Sequence, residues 1–284
     1  MPGKQAGWIG LGLIGLPMAA RLASAGWQVK GFDISKPRLE MATARGIKAV
    51  ASAEAALEGA SLVFTSLPTE AALVELAKAL AAGMAAEAIL VETTTAGPEA
   101  SAKVAETLAA RRIAYLRAPI SGSVNLAETG ALATFLSGPK AAFDAARPAL
   151  AAYSRAQIWL GEGEEARYAK LAVNLMVAVT AGMLGETLAL AQKGGIGWDA
   201  ALDLLGESVV ASPLVKYKLE PLRKRDYTPT ATGALVLKDL DLIVEAARQA
   251  GIDVPLAREV RAAYQRMAKA QLAGEDFISI VKRP

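Results

Sequence analysis

Lys170 and Asn174 stand one helical turn apart in the stretch 161–174, GEGEEARYAKLAVN, where a glycine-rich turn leads into a long apolar run. Side chains four positions apart on a helix share a face, so the two can act on one ligand. The chain has no histidine and no cysteine. Those residue types carry most proton transfer near neutral pH and much nucleophilic attack. Here such roles fall to lysine, carboxylate, tyrosine, hydroxyl or a bound cofactor. A lysine at the mouth of an apolar helix is partly desolvated, which favours its neutral form and suits it to give and take a proton. The alternative is a lysine that stretches its head to water and does no chemistry.

A second constellation lies near the N-terminus. Gly10, Gly12 and Gly15, with Leu11, Leu13 and Ile14 between them, separate a short strand at 8–9 from a helix over 16–25. A further strand over 28–32 closes on Asp33. Strand, glycine turn, helix and acid at this distance form a dinucleotide-binding pattern. Gly10 permits the tight turn, Gly12 lets the backbone approach a pyrophosphate, and Gly15 allows close helix–strand packing. The helix N-terminus then offers free N–H groups to the phosphates. Asp33 would accept from ribose hydroxyls and repel a 2′-phosphate, which favours NAD; Lys36 and Arg38 just beyond keep NADP as the second choice.

The elements that position these residues fall into two sets. Up to about 161, short apolar strands (48–50, 61–67, 88–92, 113–116, 133–137, 156–159) alternate with helices (37–45, 53–58, 70–80, 98–111, 140–152), with Ser52 and Thr69 as N-caps. This alternation predicts a doubly wound, mostly parallel sheet covered on both faces. Ligands of such sheets sit beyond the carboxyl ends of the strands, and four loops fall there: 10–15, Leu67-Pro68, Thr93–Thr95 and Ser121–Ser123. After 161 only helical patterns remain: 168–193, 198–207, 213–218, 232–250 and 256–272. The fold expected is α/β, a Rossmann-type domain over 1–161 followed by an all-α domain over 162–284 that begins with a long interdomain helix.

Composition bounds the rest. At 284 residues, with 53% hydrophobic content, the chain can bury two cores. A net charge of +3 with one short basic cluster, Arg223-Lys224-Arg225, is no nucleic-acid footprint. Without Cys or His a metal site lacks its usual ligands, and none is expected. Absent cysteines fit a reducing compartment, and no apolar leader is visible at 1–10, so the cytoplasm is the expected location. The run 171–190 is apolar enough to raise a membrane question, but Asn174, Thr180, Glu186 and Thr187 interrupt it, and a buried central helix is expected. Alanine-rich helices of this kind often pack against a second copy, so a homodimer or homotetramer is expected. Trp8, Trp27, Trp159 and Trp198 are expected in core or rim, and Met176 and Met183 in packing contacts.

Taken in order, these residues resemble the β-hydroxyacid dehydrogenase family, which includes 3-hydroxyisobutyrate dehydrogenase, tartronate semialdehyde reductase and the glyoxylate/succinic semialdehyde reductases, and is related to 6-phosphogluconate dehydrogenase. The resemblance spans the chain. It rests on IGLGLIGLPMA (9–19), APISGS (118–123), AETGAL (127–132), Lys170 with Asn174, and Lys238-Asp239-Leu240. It implies an NAD-dependent oxidoreductase that interconverts a small β-hydroxy acid and its semialdehyde or keto acid, with Lys170 as general acid/base. It further implies that Asn174 orients substrate or lysine. Ser121 and Gly122, with Ser123, would hold a substrate carboxylate. Leu67, Pro68 and Thr95 would line the nicotinamide, with Lys238 near the cofactor and Asp239 near the substrate. The sequence departs from relatives at Arg117 (usually aspartate), Ser123 (glycine), Glu164 and Ala166 (often glycine), Val173 (asparagine) and Ala231, where reductases commonly have a pocket phenylalanine. Beside the carboxylate grip, Arg117 either reads a second acidic group on the substrate or makes a surface salt bridge. Two other readings stand beside this one. An imine reductase of similar fold is disfavoured by Lys170 and Asp33; a non-catalytic NAD-binding scaffold is disfavoured by Lys170 with Asn174.

Overall fold

The computed structural model describes residues 4–282. The chain divides into two compact units, Met1–Lys170 and Leu171–Pro284. The division falls inside a helix, later in the chain than the 161/162 junction suggested by the loss of strand patterns.

The first unit is built on nine strands: β1 (Gln5–Ile9), β2 (Gln28–Phe32), β3 (Lys48–Ala49), β4 (Leu62–Thr65), β5 (Ile89–Glu92), β6 (Ala114–Arg117), β7 (Ile120–Ser121), β8 (Leu132–Ser137) and β9 (Ser154–Gly161). Between them run α1 (Gly15–Ser24), α2 (Lys36–Ala44), α3 (Ala53–Leu57), α4 (Glu70–Gly83), α5 (Pro98–Ala109), α6 (Val124–Thr129) and α7 (Lys140–Leu150). The order β3-β2-β1-β4-β5-β6 is wholly parallel and reverses direction at β1, the switch point where such sheets bind ligands. β8 runs antiparallel to β6 and β7, and β9 adds parallel to β8.

Side-chain alternation along each strand produces two separate cores. Trp8, Leu62, Phe64 and Val91 face α1 and α7; Ile9, Val63 and Leu90 face α3, α4 and α5. Trp8 stacks on Phe64 at 4.8 Å with Tyr153 edge-on to both, so this tryptophan is core, as expected. Ser52 and Thr69 cap α3 and α4 through Ala55 N and Ala72 N. β7 and α6 fall in a stretch that reads as loop in the sequence. Two and six residues are too few to show a period, and Gly130, left-handed at φ +73°, stops α6.

The second unit is helical: most of α8 (Glu165–Lys193), then α9 (Trp198–Glu207), α10 (Pro213–Lys224), α11 (Gly233–Gln249), α12 (Pro255–Lys269) and a closing 3-10 turn, Phe277–Lys282. α10 outruns its expected end at 218 because Pro221 is tolerated inside it; Leu222 is buried and its carbonyl accepts from Trp198 Nε1 at 3.0 Å. α8 is long and apolar enough to cross a bilayer by composition, yet only 33% of its most apolar window is buried. The expected buried central helix is therefore buried along one face only. Leu171, Ala178, Ala181, Leu184 and Leu188 form the buried face. Met176 and Met183, expected in packing contacts, lie on the opposite face and are exposed with Leu190. Arg223 pairs with Asp199, Asp203 and Glu220, and Arg225 lies over the Trp198 ring, so the basic cluster is consumed locally.

A buried ion pair closes this unit. Lys218 Nζ donates to Asp276 Oδ1 at 2.8 Å and to Thr230 Oγ1, while packing over the Phe277 ring. Burial pushes the Asp276 carboxyl up, but Lys218, Thr230 and the Ile278 N–H outweigh it and hold it below the ordinary aspartate value. A depressed folded value means stability that is present above the unfolded pKa and is lost as pH falls through the folded one. Lys218→Met should leave Asp276 buried without its cation and destabilise the protein by about 3–5 kcal/mol in denaturant titration at pH 7. The gap between the two proteins should narrow below about pH 4.

Candidate active site

The glycine loop is shaped by sterics. Gly10 has φ +93°, and a Cβ there would collide with the Ser66 carbonyl; a Cβ on Gly15 would collide with the Gly10 carbonyl. Around Gly12 nothing lies within 4 Å of a Cβ, so the loop is open on that side. α1 begins without a side-chain cap or an acidic residue in its first turn, leaving its amides to an anion. Asp33 fastens the loop: Oδ2 accepts from Leu11 N at 2.7 Å and Oδ1 from Ser35 N at 2.8 Å. Leu11 is buried, Ile14 half-buried, and Leu13 and Ile34 are exposed beside the loop. This cradle fits a dinucleotide: phosphates over Gly12 and the start of α1, and ribose hydroxyls on the remaining acceptor capacity of Asp33.

Three more loops are ordered on the same sheet edge. The parallel ladder continues one residue past each strand through Ser66 N to Ile9 O, Thr93 N to Thr65 O and Ala118 N to Glu92 O. Leu67 N donates to Thr94 Oγ1 at 2.9 Å, tying the loop after β4 to the loop after β5. Leu67 and Thr95 are half-buried and Pro68 is exposed. Ser121 pairs with Ala133 across β8, Gly122 has φ +141°, and Ser123 leads into α6 without capping it through its hydroxyl.

Beneath these loops lies a charged cluster that the sequence reading missed. Glu92, at the end of β5, and Arg167, in the first turn of α8, are both fully buried and joined Oε2 to Nη2. Arg167 also donates from Nη1 to Thr94 O at 2.7 Å, from Nη2 to Tyr115 Oη at 2.7 Å and from Nε to Ser101 Oγ. Burial works against the Arg167 charge, but Glu92 and Tyr115 outweigh it and hold the guanidinium protonated. Burial pushes the Tyr115 hydroxyl up to about 12, so it remains a donor at neutral pH. Arg117 is likewise buried. It is paired with Glu164, bonded to Ser101 Oγ and placed 4.6 Å over the Tyr115 ring. Of the two expectations for Arg117, a salt bridge is present, with Glu164, but it lies inside the first unit and not at its surface. The legible signal was a pair of charges closing apolar runs, Glu92 after AILV and Arg117 after AYL.

On α8, Arg167, Lys170 and Asn174 share one face, and Lys170 is half-buried. In the second unit Asn174 Nδ2 donates to Asp239 Oδ2 at 2.7 Å. Lys238 Nζ lies 3.1 Å from Asp239 Oδ1, an ion pair outside hydrogen-bonding angles. Ala231 is half-buried against the helical core, its carbonyl accepting from Phe277 N.

A dinucleotide cradle at the switch point of a parallel sheet, followed by a helical unit, defines a nicotinamide-dependent oxidoreductase. Residues 5–161 match the NAD binding domain of 6-phosphogluconate dehydrogenase, and residues 164–283 match the NAD-binding of NADP-dependent 3-hydroxyisobutyrate dehydrogenase. The chain belongs to the β-hydroxyacid dehydrogenase family and is an NAD-binding oxidoreductase acting on a CH–OH group. It is 26% identical to 2-(hydroxymethyl)glutarate dehydrogenase of Eubacterium barkeri, over 97% of this chain and 93% of that one. It is 29% identical to NAD-dependent L-serine dehydrogenase of Pseudomonas aeruginosa, over 99% and 97%. Among solved structures it resembles Mycobacterium tuberculosis 3-hydroxyisobutyrate dehydrogenase with L-serine, at a TM-score of 0.91 and 26% identity, over 99% and 98%.

The cradle makes a separable prediction. Gly12→Ala should fold normally, because its methyl meets no protein atom, yet weaken NADH binding about tenfold or more by standing where a pyrophosphate would pass. Gly10→Ala should instead lose at least about 1 kcal/mol of stability before any ligand is added. NADH fluorescence titration and thermal unfolding read the two effects independently.

Proposed function

We propose that this protein is an NAD-dependent dehydrogenase that interconverts a small β-hydroxy acid with its semialdehyde or keto acid, and that Lys170 is its general acid/base. The observation that carries the reading is the placement of Lys170. It lies one turn beyond Arg167, whose side chain reaches into the loop after β5 at the carboxyl edge of the sheet. The named substrates of the relatives, 2-(hydroxymethyl)glutarate, L-serine and 3-hydroxyisobutyrate, each place a carboxylate next to the carbon that bears the hydroxymethyl group. A substrate of that class is the one proposed here.

Gly10–Gly15 and Asp33 would hold the cofactor's pyrophosphate and ribose, with Leu67, Pro68, Thr95 and Lys238 toward its nicotinamide. Bound NADH supplies a hydride to the carbonyl carbon. The Lys170 ammonium, hydrogen-bonded to the carbonyl oxygen, stabilises the charge that develops there and gives up its proton at Nζ. In oxidation the neutral amine takes the proton back from the hydroxyl. The backbone N–H groups of Gly122 and Ser123, with the Ser121 hydroxyl, would hold the substrate carboxylate, so that remote binding energy orients the carbonyl. Asn174 is held by Asp239 and would present its remaining amide hydrogen and carbonyl oxygen toward the ligand. Asp33 supports preference for NAD, since its carboxylate would repel a 2′-phosphate on the ribose. The exposed stripe Met176, Met183 and Leu190 on α8 supports self-association as a dimer or tetramer.

The test is NADH oxidation against methylmalonate, succinic and tartronate semialdehydes and glyoxylate, in parallel with NADPH and with cyclic imines. Turnover of an acid-bearing aldehyde with NADH is expected; turnover of imines alone would replace this reading by imine reduction. Lys170→Ala should lower kcat by about 10²–10⁴-fold. A value within a few-fold of wild type would remove the acid/base assignment. Asp33→Ala should narrow the preference for NADH over NADPH, and unchanged selectivity would end the role given to that carboxylate.

A further inference from the structure

We infer that Arg167 is a positioning residue for Lys170: buried with Glu92, it locks the first turn of α8 to the Thr93–Thr95 loop. The inference rests on the acid/base reading of Lys170 and adds to it the device that sets the lysine's position.

The geometry is closed on every side. One guanidinium spans three parts of the first unit, reaching Glu92 and Thr94 O after β5, Tyr115 Oη on β6 and Ser101 Oγ on α5. Glu92 Oε1 in turn accepts from Thr94 N, and Thr94 Oγ1 accepts from Leu67 N. A single path of hydrogen bonds therefore runs from the first turn of α8 to both loops assigned to the nicotinamide. Arg167 and Lys170 lie three positions apart, so a shift of the guanidinium rotates or translates the turn that carries the lysine. Around it, Arg117–Glu164 and Ala166 N to Ser137 Oγ at 3.1 Å hold the same turn from its start. The charges balance, two cations against two carboxylates, so the cluster places no net charge beside the lysine. Its contribution is geometric. A merely stabilising salt bridge would not need the further bonds to Thr94 O, Tyr115 Oη and Ser101 Oγ, and a well-packed apolar pair could replace it.

The experiment compares wild type, Arg167→Lys, Lys170→Ala and the double variant. The first measurement needs neither substrate nor cofactor: acetic anhydride labelling of the apo protein, followed by peptide mass spectrometry. Arg167→Lys keeps the charge but not the fork of contacts, so labelling of Lys170 should accelerate about threefold or more as its turn loosens. Lys36 and Lys103, exposed elsewhere, serve as controls and should not change. With the panel aldehyde turned over fastest, Arg167→Lys should lower kcat about 10–100-fold, with NADH affinity within about twofold of wild type. Methylammonium added to Lys170→Ala supplies a free acid that needs no positioning. In that rescued background Arg167→Lys should cause no further loss. Should Arg167→Lys fail to fold, Glu92→Gln replaces it in the same scheme, with the same expected changes. Unchanged labelling of Lys170 together with unchanged kcat overturns the inference. So does an equal further loss in the rescued background, which would assign Arg167 to the fold or cofactor instead. Failure of the acid/base reading shows separately, as near-wild-type activity of Lys170→Ala, and leaves the labelling result standing.

Discussion

A carboxylate and a guanidinium with no exposed surface, Glu92 and Arg167, meet at the carboxyl edge of the sheet, and the order of that edge depends on them. Neither charge is tolerable alone: removal from water costs each several kcal/mol, and only close pairing with further hydrogen bonds offsets it. That requirement dictates geometry. Glu92 must also receive the Thr94 amide, Arg167 must also find the Thr94 carbonyl, and the loop between them is thereby fixed. Thr94 passes the order on to Leu67, and Ser101 Oγ shares its capacity between Arg167 and Arg117. The loops after β4, β5 and β6 and the start of α8 are consequently one cooperative unit. Moving any of them would expose or orphan a buried charge.

This dependence separates what the sequence made legible from what it did not. The glycine loop was readable because its constraints are local: a positive φ at Gly10 and a helix against a strand at Gly15 admit one residue type, whatever lies elsewhere. Strand alternation was readable for the same reason, since Trp8 and Ile9 must face opposite cores. Arg117 was not. Its neighbours in sequence suggest a charge at a strand end in reach of water, while its burial is set by Glu164, 47 positions away. Met176 and Met183 failed for the converse reason. Seven apart on a helix defines a shared face, but which face meets a core is decided by α11, α12 and the closing 3-10 turn, not by α8.

The carboxylates can be sorted by how many acceptor positions the protein itself consumes. An ionised carboxylate offers about four. Asp276 uses all of them internally: Lys218 Nζ and Ile278 N on Oδ1, Thr230 N and Oγ1 on Oδ2. Nothing remains for a ligand, and its place is structural. Glu92 is nearly as full, with Thr94 N on Oε1 and Arg167 and Tyr115 on Oε2. Asp33 and Asp239 differ. Asp33 accepts one backbone N–H on each oxygen, and Asp239 accepts only from Asn174, its second oxygen meeting Lys238 as an ion pair off the hydrogen-bonding direction. A buried acceptor left with capacity is costly unless something fills it. Asp33 and Asp239, which retain capacity, stand at the positions expected from the sequence beside a ribose and a small hydroxy acid, while Glu164, whose Oε2 is also buried without a partner, was expected at neither. The two that are saturated, Glu92 and Asp276, are the ones no motif picked out. Saturation thus places Glu92 and Asp276 in the scaffold, a sorting that needs no reference to any relative.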